Sequence, residues 1–426
     1  MPFRFVHTAD LHLDSPLRSL ALKNPELAEL VRGATRKALE AIVDLCLAEA
    51  VDALLVAGDL YDGSQTSMNT ALYLSGELRR LEQAGIRVFL IRGNHDSQST
   101  IKKELTLPAN VHLFSGRVKP MLAKILDSGR EVYIHGVGFD NPHAPDSLLS
   151  SFQAPVVDAV NIGMLHTSLA GAPGHDPYAP CSVAELARHG FDYWALGHVH
   201  QRQVHSLKPL IVMPGMPQGR DINEAGGKTV TLVSVTDDGQ LTAEERAIGQ
   251  AVFERLTIDL SDLAEWALMI EAAGQAIAAI RQATGAEQLI LRLHLVGTTP
   301  LAWKLRRDPE FLQAEITNLA AGHPGCWIEK VEVSCAAPGT ETARGGPDPV
   351  EEVADLVRAD VLSSFSFRQQ IGETVKELMA QLPREVRERL EKDEAAIEAL
   401  LTRVGREGSD DVLARLHGTS QAEGLR

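Results

Sequence analysis

Five short segments in the first 200 residues concentrate side chains that bind metals. They are Asp10-Leu11-His12, Gly58-Asp59, Gly93-Asn94-His95-Asp96, His166 and Gly197-His198-Val199-His200. The first three and the last each follow a short apolar run that reads as a β-strand. Carboxylates, an amide and imidazoles delivered at strand ends suit a pair of divalent ions. Two such ions about 3.5–4 Å apart can generate a nucleophile from water and stabilise the charge that builds up as a phosphodiester is split. They need a bridging carboxylate and mixed oxygen and nitrogen ligands, which favour Mn²⁺, Fe²⁺ or Zn²⁺. No cysteine lies near the segments, so a structural zinc site is not expected. A lone DxH or GD carries little information. GNHD and GHVH are more specific, and all five in order after strands point to a dinuclear hydrolytic centre.

The elements that must position these groups can be read from periodicity. Arg4–Thr8, Ala53–Ala57 and Arg87–Ile91 read as strands, with helical patterns over Ala28–Glu49 and Ser67–Gln83 between them. Val111–Phe114, Val132–Val137, Val160–His166, Tyr193–Leu196, Pro209–Met213 and Lys228–Val235 add strands. Residues 1–250 are thus expected to form an α/β fold, a two-sheet α/β/β/α sandwich with helices outside. Ligands in such folds collect beyond strand ends. Residues 251–335 alternate strand and helix as a small α/β domain, with Leu301–Ala321 read as one helix. Residues 336–349 read as a linker, and 350–426 as a helical tail broken near Pro383. Gly93 and Gly197 are expected to allow close backbone approach.

At 426 residues, two or three domains are expected. Cys46, Cys181, Cys326 and Cys335 have no CxxC spacing and read as buried or free thiols, which fits a reducing, cytoplasmic setting. The start lacks a signal-peptide core, and no run approaches the roughly 18 apolar residues of a membrane span. Net charge is −16. Residues 1–250 carry 22 Lys and Arg against 28 Asp and Glu, and the rest 19 against 29. The acidic excess therefore lies mainly in the second part, and tight nucleic-acid binding by the chain alone is not expected.

The pattern D-x-H, GD, GNHD, H and GHxH resembles that of the calcineurin-like metallophosphoesterases. The stretches His7-Thr8-Ala9-Asp10-Leu11-His12-Leu13-Asp14 and Gly58-Asp59-Leu60-Tyr61-Asp62 are similar to SbcD-type DNA repair exonucleases, bacterial relatives of the double-strand-break repair nuclease subunit. Pro214-Gly215-Met216-Pro217-Gln218-Gly219-Arg220 is most similar to the YhaO-type branch. The resemblance spans residues 1–250, and the next domain occupies the place of that family's DNA-capping domain.

The resemblance implies that Asp10, His12 and His200 hold one metal and that Asn94, His166 and His198 hold the other. Asp59 would bridge both. His166 is identified by its place after Val160–Leu165 and by the small polar pair Thr167-Ser168 that follows it. His95 would face the scissile phosphate and assist the leaving group, with Asp62 orienting it and keeping it protonated. Asp96 would steady the loop or share that role with Asp62. Arg220 reads either as a phosphate contact or as a surface arginine. Two Mn²⁺ ions are expected, with Fe²⁺ or Zn²⁺ as alternatives. Further expectations are DNA as substrate, an SMC-like ATPase of the SbcC/YhaN type as partner, and a homodimer.

In the tail, Val353-Leu356-Val357-Val361-Leu362 and Ile371-Val375-Leu378-Met379-Leu382 form apolar stripes. They would dock on the ATPase or pack on the chain itself. Arg18, Arg92, Lys102, Lys103 and Arg220 are expected to line the DNA path. His7 and His135 read as core histidines, and Asp14 as a surface residue or an Asx turn. The rival functions are a small-molecule phosphodiesterase and a non-catalytic DNA-positioning subunit.

Overall fold

The computed structural model describes residues 2–15, 24–62, 67–96, 107–114, 120–138, 143–144, 146–169, 178–338, 349–382, 387, 390 and 394–423. Arg18, Lys102, Lys103, most of the expected linker and the expected break at Pro383 lie outside the described residues.

The first strand, β1 (Phe3–Thr8), leads to helix α1 (Pro25–Ala48). Asn24 caps α1 by accepting from Leu27 N–H, and Pro25 at its first position needs no donor partner. Next come β2 (Ala53–Ala57), α2 (Met68–Gln83), β3 (Arg87–Ile91) and β4 (Val111–Leu113). Then follow β5 (Met121–Ile125), β6 (Glu131–Val137), β7 (Val160–His166), α3 (Val183–Arg188) and β8 (Tyr193–Gly197). The last strands of this region are β9 (Gln203–Leu207), β10 (Leu210–Met213), β11 (Thr229–Val235) and β12 (Leu241–Ala247).

Two six-stranded sheets result. One runs β12-β11-β1-β2-β3-β4, the other β5-β6-β7-β8-β10-β9. Strands β1 to β4 are parallel, as are β6, β7, β8 and β10, so their carboxyl ends line up. The sheets share a core of Phe3, Phe5, Leu55, Phe89, Ile134, Ile162, Tyr193 and Val212. On the other face of the first sheet, Val6, Leu54, Val56 and Leu90 pack against Leu39, Ile42 and Val43 of α1 and Leu74 and Leu78 of α2. The α/β two-sheet sandwich is therefore as expected. Three strands went unread: β5, β9 and β12. Each closes the edge of its sheet, and their residues are half-buried or exposed, so their apolar alternation is weak.

The described residues form two compact units, Met1–Glu254 with Thr284–Ile290, and Arg255–Ala283 with Leu291–Arg426. A three-stranded sheet joins β13 (Ala251–Asp259), β14 (Gln288–Thr298) and β15 (Cys326–Ala336) in that order. Within the second unit, α4 (Trp266–Ala283) buries Met269, Ala273 and Ile277. The expected single helix over 301–321 is two: α5 (Ala302–Arg307) and α6 (Pro309–Ala321). Pro309 causes the break, because its ring blocks continuation of the preceding helix while suiting the first position of a new one.

The tail contains α7 (Pro349–Leu356), a π-helical turn over Val357–Val361, α8 (Phe365–Ala380) and α9 (Glu394–Glu423). It packs on its own unit. Leu413 and Ala414 of α9 and Ala354 of α7 bury against Trp303 of α5. Asp410, buried, lies 3.5 Å from Arg306 and 3.6 Å from Arg358. The apolar stripes are divided: Met379 is buried, whereas Val353, Leu356 and Leu378 remain exposed. No helix among the described residues is long and apolar enough to cross a membrane.

Candidate metal centre

The five segments meet because their strands end together. Thr8 pairs with Val56, Ala57 with Ile91, and His166 with Gly197 across the parallel ladders. Beyond the strands the loops stay zipped. Asp10 N–H donates to Gly58 O and His12 N–H to Asp59 O, both at 3.0 Å. Asp10, His12, Asp59 and His198 have φ of 54°, 42°, 54° and 103°. Non-glycine residues in this left-handed region cost of order 1–3 kcal/mol each and persist where the surroundings hold them. Here the surroundings are backbone hydrogen bonds and close glycines. A Cβ on Gly93 would lie 2.1 Å from Asp59 Oδ1, and one on Gly197 would lie 2.0 Å from Ala57 O. Both loops therefore need glycine for contact distance, as the sequence suggests.

The side chains fall into two groups. Asp10, His12 and His200 converge in one, and Asp59, His166 and His198 in the other. In the first, His12 Nε2 lies 3.2 Å from His200 Nε2, and His198 N–H donates to both Asp10 oxygens at 3.1 Å. In the second, Asn94 Oδ1 lies 3.0 Å from His166 Nε2 and 3.1 Å from His198 Nδ1. Asp59 stands between them, its Oδ2 being 3.8 Å from His12 Nε2 and 3.4 Å from His166 Nε2. His166 Nδ1–H donates to Ala57 O at 2.8 Å, which directs the other ring nitrogen into the group. Tyr178, buried, stacks on His198 and meets His166 edge-on.

This donor set fits a pair of divalent ions. Two carboxylates and two imidazoles, Asp10, Asp59, His12 and His166, are buried together, a costly arrangement unless a cation compensates it. The electrostatics show the same demand. Burial raises Asp10 to about 6, against the pull of His166 and His200. Burial also opposes the ionised form of Asp59, but the His166 charge and hydrogen bond, with His12, hold it well below the usual range. Burial depresses His166, yet Asp59 outweighs it and raises the imidazole to about 9. His12 is held far below its ordinary value by burial and by Arg220. A bound cation would supply the positive charge that His166 otherwise draws from a proton.

His95 lies outside both groups of convergent ligands and is 40% exposed. Its Nδ1 pairs with Asp62 Oδ1 at 2.9 Å, and its backbone N–H donates to Asp59 Oδ1 at 3.0 Å. Burial lowers its pKa, but the Asp62 hydrogen bond and the charges of Asp59 and Asp62 prevail and raise it. Burial works the other way on Asp62, and the His95 hydrogen bond overcomes it to hold Asp62 low. Asp62 with His12 and His95 forms a third convergent group. Asp96 accepts from Tyr61 N–H and Gly93 N–H, both at 3.0 Å, and thereby braces the loop.

Arg220 is largely enclosed. Its Nη2 donates to Glu224 Oε1 at 2.7 Å and its Nη1 lies 3.5 Å from Asp62 Oδ2. Glu224 also accepts from His200 Nδ1 at 2.8 Å. Sequence reasoning missed Glu224 and Tyr178. Neither lies in a motif, and an isolated carboxylate or aromatic carries no signal of what it will touch. Asp14 is neither a plain surface residue nor an Asx turn: it holds Arg36 of α1 and Thr70 of α2. His7 is a core histidine between Tyr193 Oη at 2.9 Å and Leu196 O at 3.0 Å. His135, also buried, pairs with Asn161.

Known proteins share this arrangement of sequence. A family model described as calcineurin-like phosphoesterase matches residues 3–202, and one described as the middle domain of metallophosphoesterase YhaO matches residues 253–336. The uncharacterized metallophosphoesterase YhaO of Bacillus subtilis is 32% identical over 315 residues, covering 73% of this chain and 76% of that protein. The DNA double-strand break repair protein Mre11 of Saccharolobus solfataricus is 26% identical over 206 residues, 47% of this chain and 50% of that one. The Mre11 of Sulfurisphaera tokodaii is 25% identical over 253 residues, 55% and 60% respectively. The chain thus spans half to three-fifths of these two Mre11 relatives. A crystal structure of a dimetal phosphatase from Danio rerio is similar with a TM-score of 0.36 and 12% identity, covering 58% of this chain and 99% of that one. With strand-end ligand groups of this kind, the two family models and the 32% identity to the Bacillus subtilis protein, the chain belongs to the calcineurin-like metallophosphoesterases, in their YhaO-type branch.

Proposed function

We propose that this metal-dependent phosphoesterase is a DNA nuclease of strand-break repair, cutting a phosphodiester with two bound divalent ions, Mn²⁺ in the first instance. The carrying observation is the pair of ligand groups joined at Asp59, with the His95–Asp62 pair beside them. Asp10, His12 and His200 would hold one ion, and Asn94, His166 and His198 the other. When bound, the ions would supply an activated water and offset charge on the phosphate. His95 does the protein's own proton work. With Nδ1 bound to Asp62, its Nε2 carries the proton for the departing oxygen, and Asp62 keeps that proton in place. Asp10 holds the His198 backbone, so the two ligand groups keep their spacing.

DNA as substrate is supported by the Mre11 relatives, DNA double-strand break repair proteins by name. The exposed Val353, Leu356 and Leu378 of the tail offer a place for an SMC-like ATPase. Four buried free cysteines fit a reducing, cytoplasmic setting. The net charge of −16 favours a second reading, a small phosphodiester as substrate, because such a molecule needs no basic track.

The readings separate when the chain with Mn²⁺ is given linear duplex DNA, single-stranded DNA, a cyclic nucleotide and an aryl phosphodiester. Cleavage of DNA, strengthened by the ATPase and weakened by salt, is expected. Turnover of the cyclic nucleotide with no DNA cleavage, even with the ATPase present, rejects the nuclease. Leu356→Asp with Leu378→Asp is expected to abolish co-purification with the ATPase, and retained binding rejects the tail as its dock.

A further inference from the structure

Glu224 closes a single 3-10 turn, Ile222–Glu224, whose start is capped by Asp221 accepting from Asn223 N–H at 2.7 Å. Its side chain is 12% exposed. Oε1 accepts from His200 Nδ1 at 2.8 Å and from Arg220 Nη2 at 2.7 Å. Oε2 accepts from the Arg220 backbone N–H at 2.8 Å and from its Nε at 3.3 Å. On one side His200 Nε2 faces His12 Nε2 at 3.2 Å. On the other, Arg220 Nη1 lies 3.5 Å from Asp62 Oδ2, and Asp62 holds His95 at 2.9 Å. One carboxylate therefore touches both the ligand side and the acid side of the centre.

An imidazole binds a cation only through a ring nitrogen that carries a lone pair. Which nitrogen that is depends on the partner of the other one. Glu224 accepts a hydrogen bond from His200 Nδ1–H, which keeps the proton on Nδ1 and leaves the Nε2 lone pair facing Asp10 and His12. Its negative charge also makes the ring a stronger donor. Toward Arg220 the same carboxylate grips Nε and Nη2, the two donors on one edge of the guanidinium fork. With that edge fixed, Nη1 can only point toward Asp62 and Ser15, from which it lies 3.5 and 3.4 Å away.

We propose that Glu224 is a positioning residue with two separable duties. It sets the tautomer and direction of His200 for one metal, and it holds Arg220 so that Asp62 keeps His95 aligned. This rests on the dinuclear reading given above. Gln at position 224 separates the duties, since its carbonyl in the Oε1 place still accepts from His200 Nδ1 and Arg220 Nη2, while its amide in the Oε2 place sets donor against donor at the Arg220 Nε and backbone N–H and breaks the two-point grip.

The full chain is titrated with Mn²⁺ by calorimetry and electron paramagnetic resonance, and aryl phosphodiester turnover is followed at saturating Mn²⁺. The wild-type chain is expected to bind two ions. Glu224→Ala should weaken one binding step by about 10–100-fold and spare the other. Glu224→Gln should keep both steps within a few-fold and still lose kcat. Arg220→Met should keep both steps and show the same kcat loss as Glu224→Gln, with unchanged KM. Two wild-type steps in Glu224→Ala would overturn the inference and leave the dinuclear reading standing. So would equal weakening of both steps with a lowered metal-free melting temperature, which marks a scaffold role, or full kcat in Glu224→Gln. Failure of the wild-type chain to bind divalent ions overturns the dinuclear reading and this inference with it.

Discussion

The two units bury polar groups on different terms. In the first, Asp10, His12, Asp59 and His166 are almost fully enclosed, in the one place where the parallel strands of both sheets end. In the second, the buried set is mostly apolar, as with Met269, Ile277, Leu312 and Ile316, and the buried charge of Asp410 is met by Arg306 and Arg358 from the same unit. The second unit thus compensates its charge internally, whereas the metal centre leaves part of its charge for a cation to answer. The difference teaches where function resides. Buried charge that the protein balances itself serves packing, and buried charge that it leaves unbalanced marks a ligand site.

That contrast can be broken in several ways, taken from the largest effect to the smallest. Asp59→Asn, or removal of divalent ions by a chelator, removes several kcal/mol of transition-state stabilisation. Phosphodiester turnover should fall by about 10³-fold or more. In calorimetry, added Mn²⁺ should raise the melting temperature of the first unit and leave that of the second unchanged. An equal rise in both would erase the contrast.

His95→Ala comes next. Loss of a positioned acid costs about 10²–10⁴-fold in rate, and both Mn²⁺ should still bind, since His95 lies outside the two ligand groups that Asp59 joins. Loss of a metal along with activity would place His95 among the ligands instead.

Leu413→Ala tests the second unit. The residue is buried against Trp303, and the truncation should cost about 2–4 kcal/mol in the unfolding of that unit. The Mn²⁺ titration should be unaffected.

The smallest effect concerns pH. Burial lowers His7 to about 3 and His135 to about 4, against an ordinary value near 6.5 in the unfolded chain. The unfolded state therefore binds more protons below about pH 6.5. The stability held by the neutral rings is complete above that value and declines as pH falls toward 4 and then 3. Each ring should contribute about 2 kcal/mol to the difference between unfolding free energies measured at pH 7 and pH 5. His135→Gln should flatten that slope, and an unchanged slope would mean that the ring is already charged in the folded chain.

Much of the fold was legible because burial imposes period and composition. The central strands β1, β2, β3, β7 and β8 are apolar runs closed by a motif, and they were read within a residue of their ends. The edge strands were not legible. Leu241–Ala247 reads LTAEERA, whose Ala, Glu and Arg favour a helix locally, and its strand state comes from pairing with β11. The helix over 301–321 was read too long because its apolar pattern continues across the break that Pro309 makes.

The metal-binding character of this protein was fixed by its sequence. Two-metal chemistry accepts only a few residue types, and close strand ends allow only a few spacings, so the ligands carry their own signature. The tertiary structure decided what surrounds them. Glu224 is chosen from many acidic residues because a turn carries it to His200 Nδ1 and Arg220. Arg220 faces inward because Asp62 and Glu224 draw it there. The tail rests on Trp303 because α5 leaves that apolar face open to Leu413 and Ala414. An ordinary carboxylate, arginine or leucine obtains its role from position alone, and position exists only once the chain has folded.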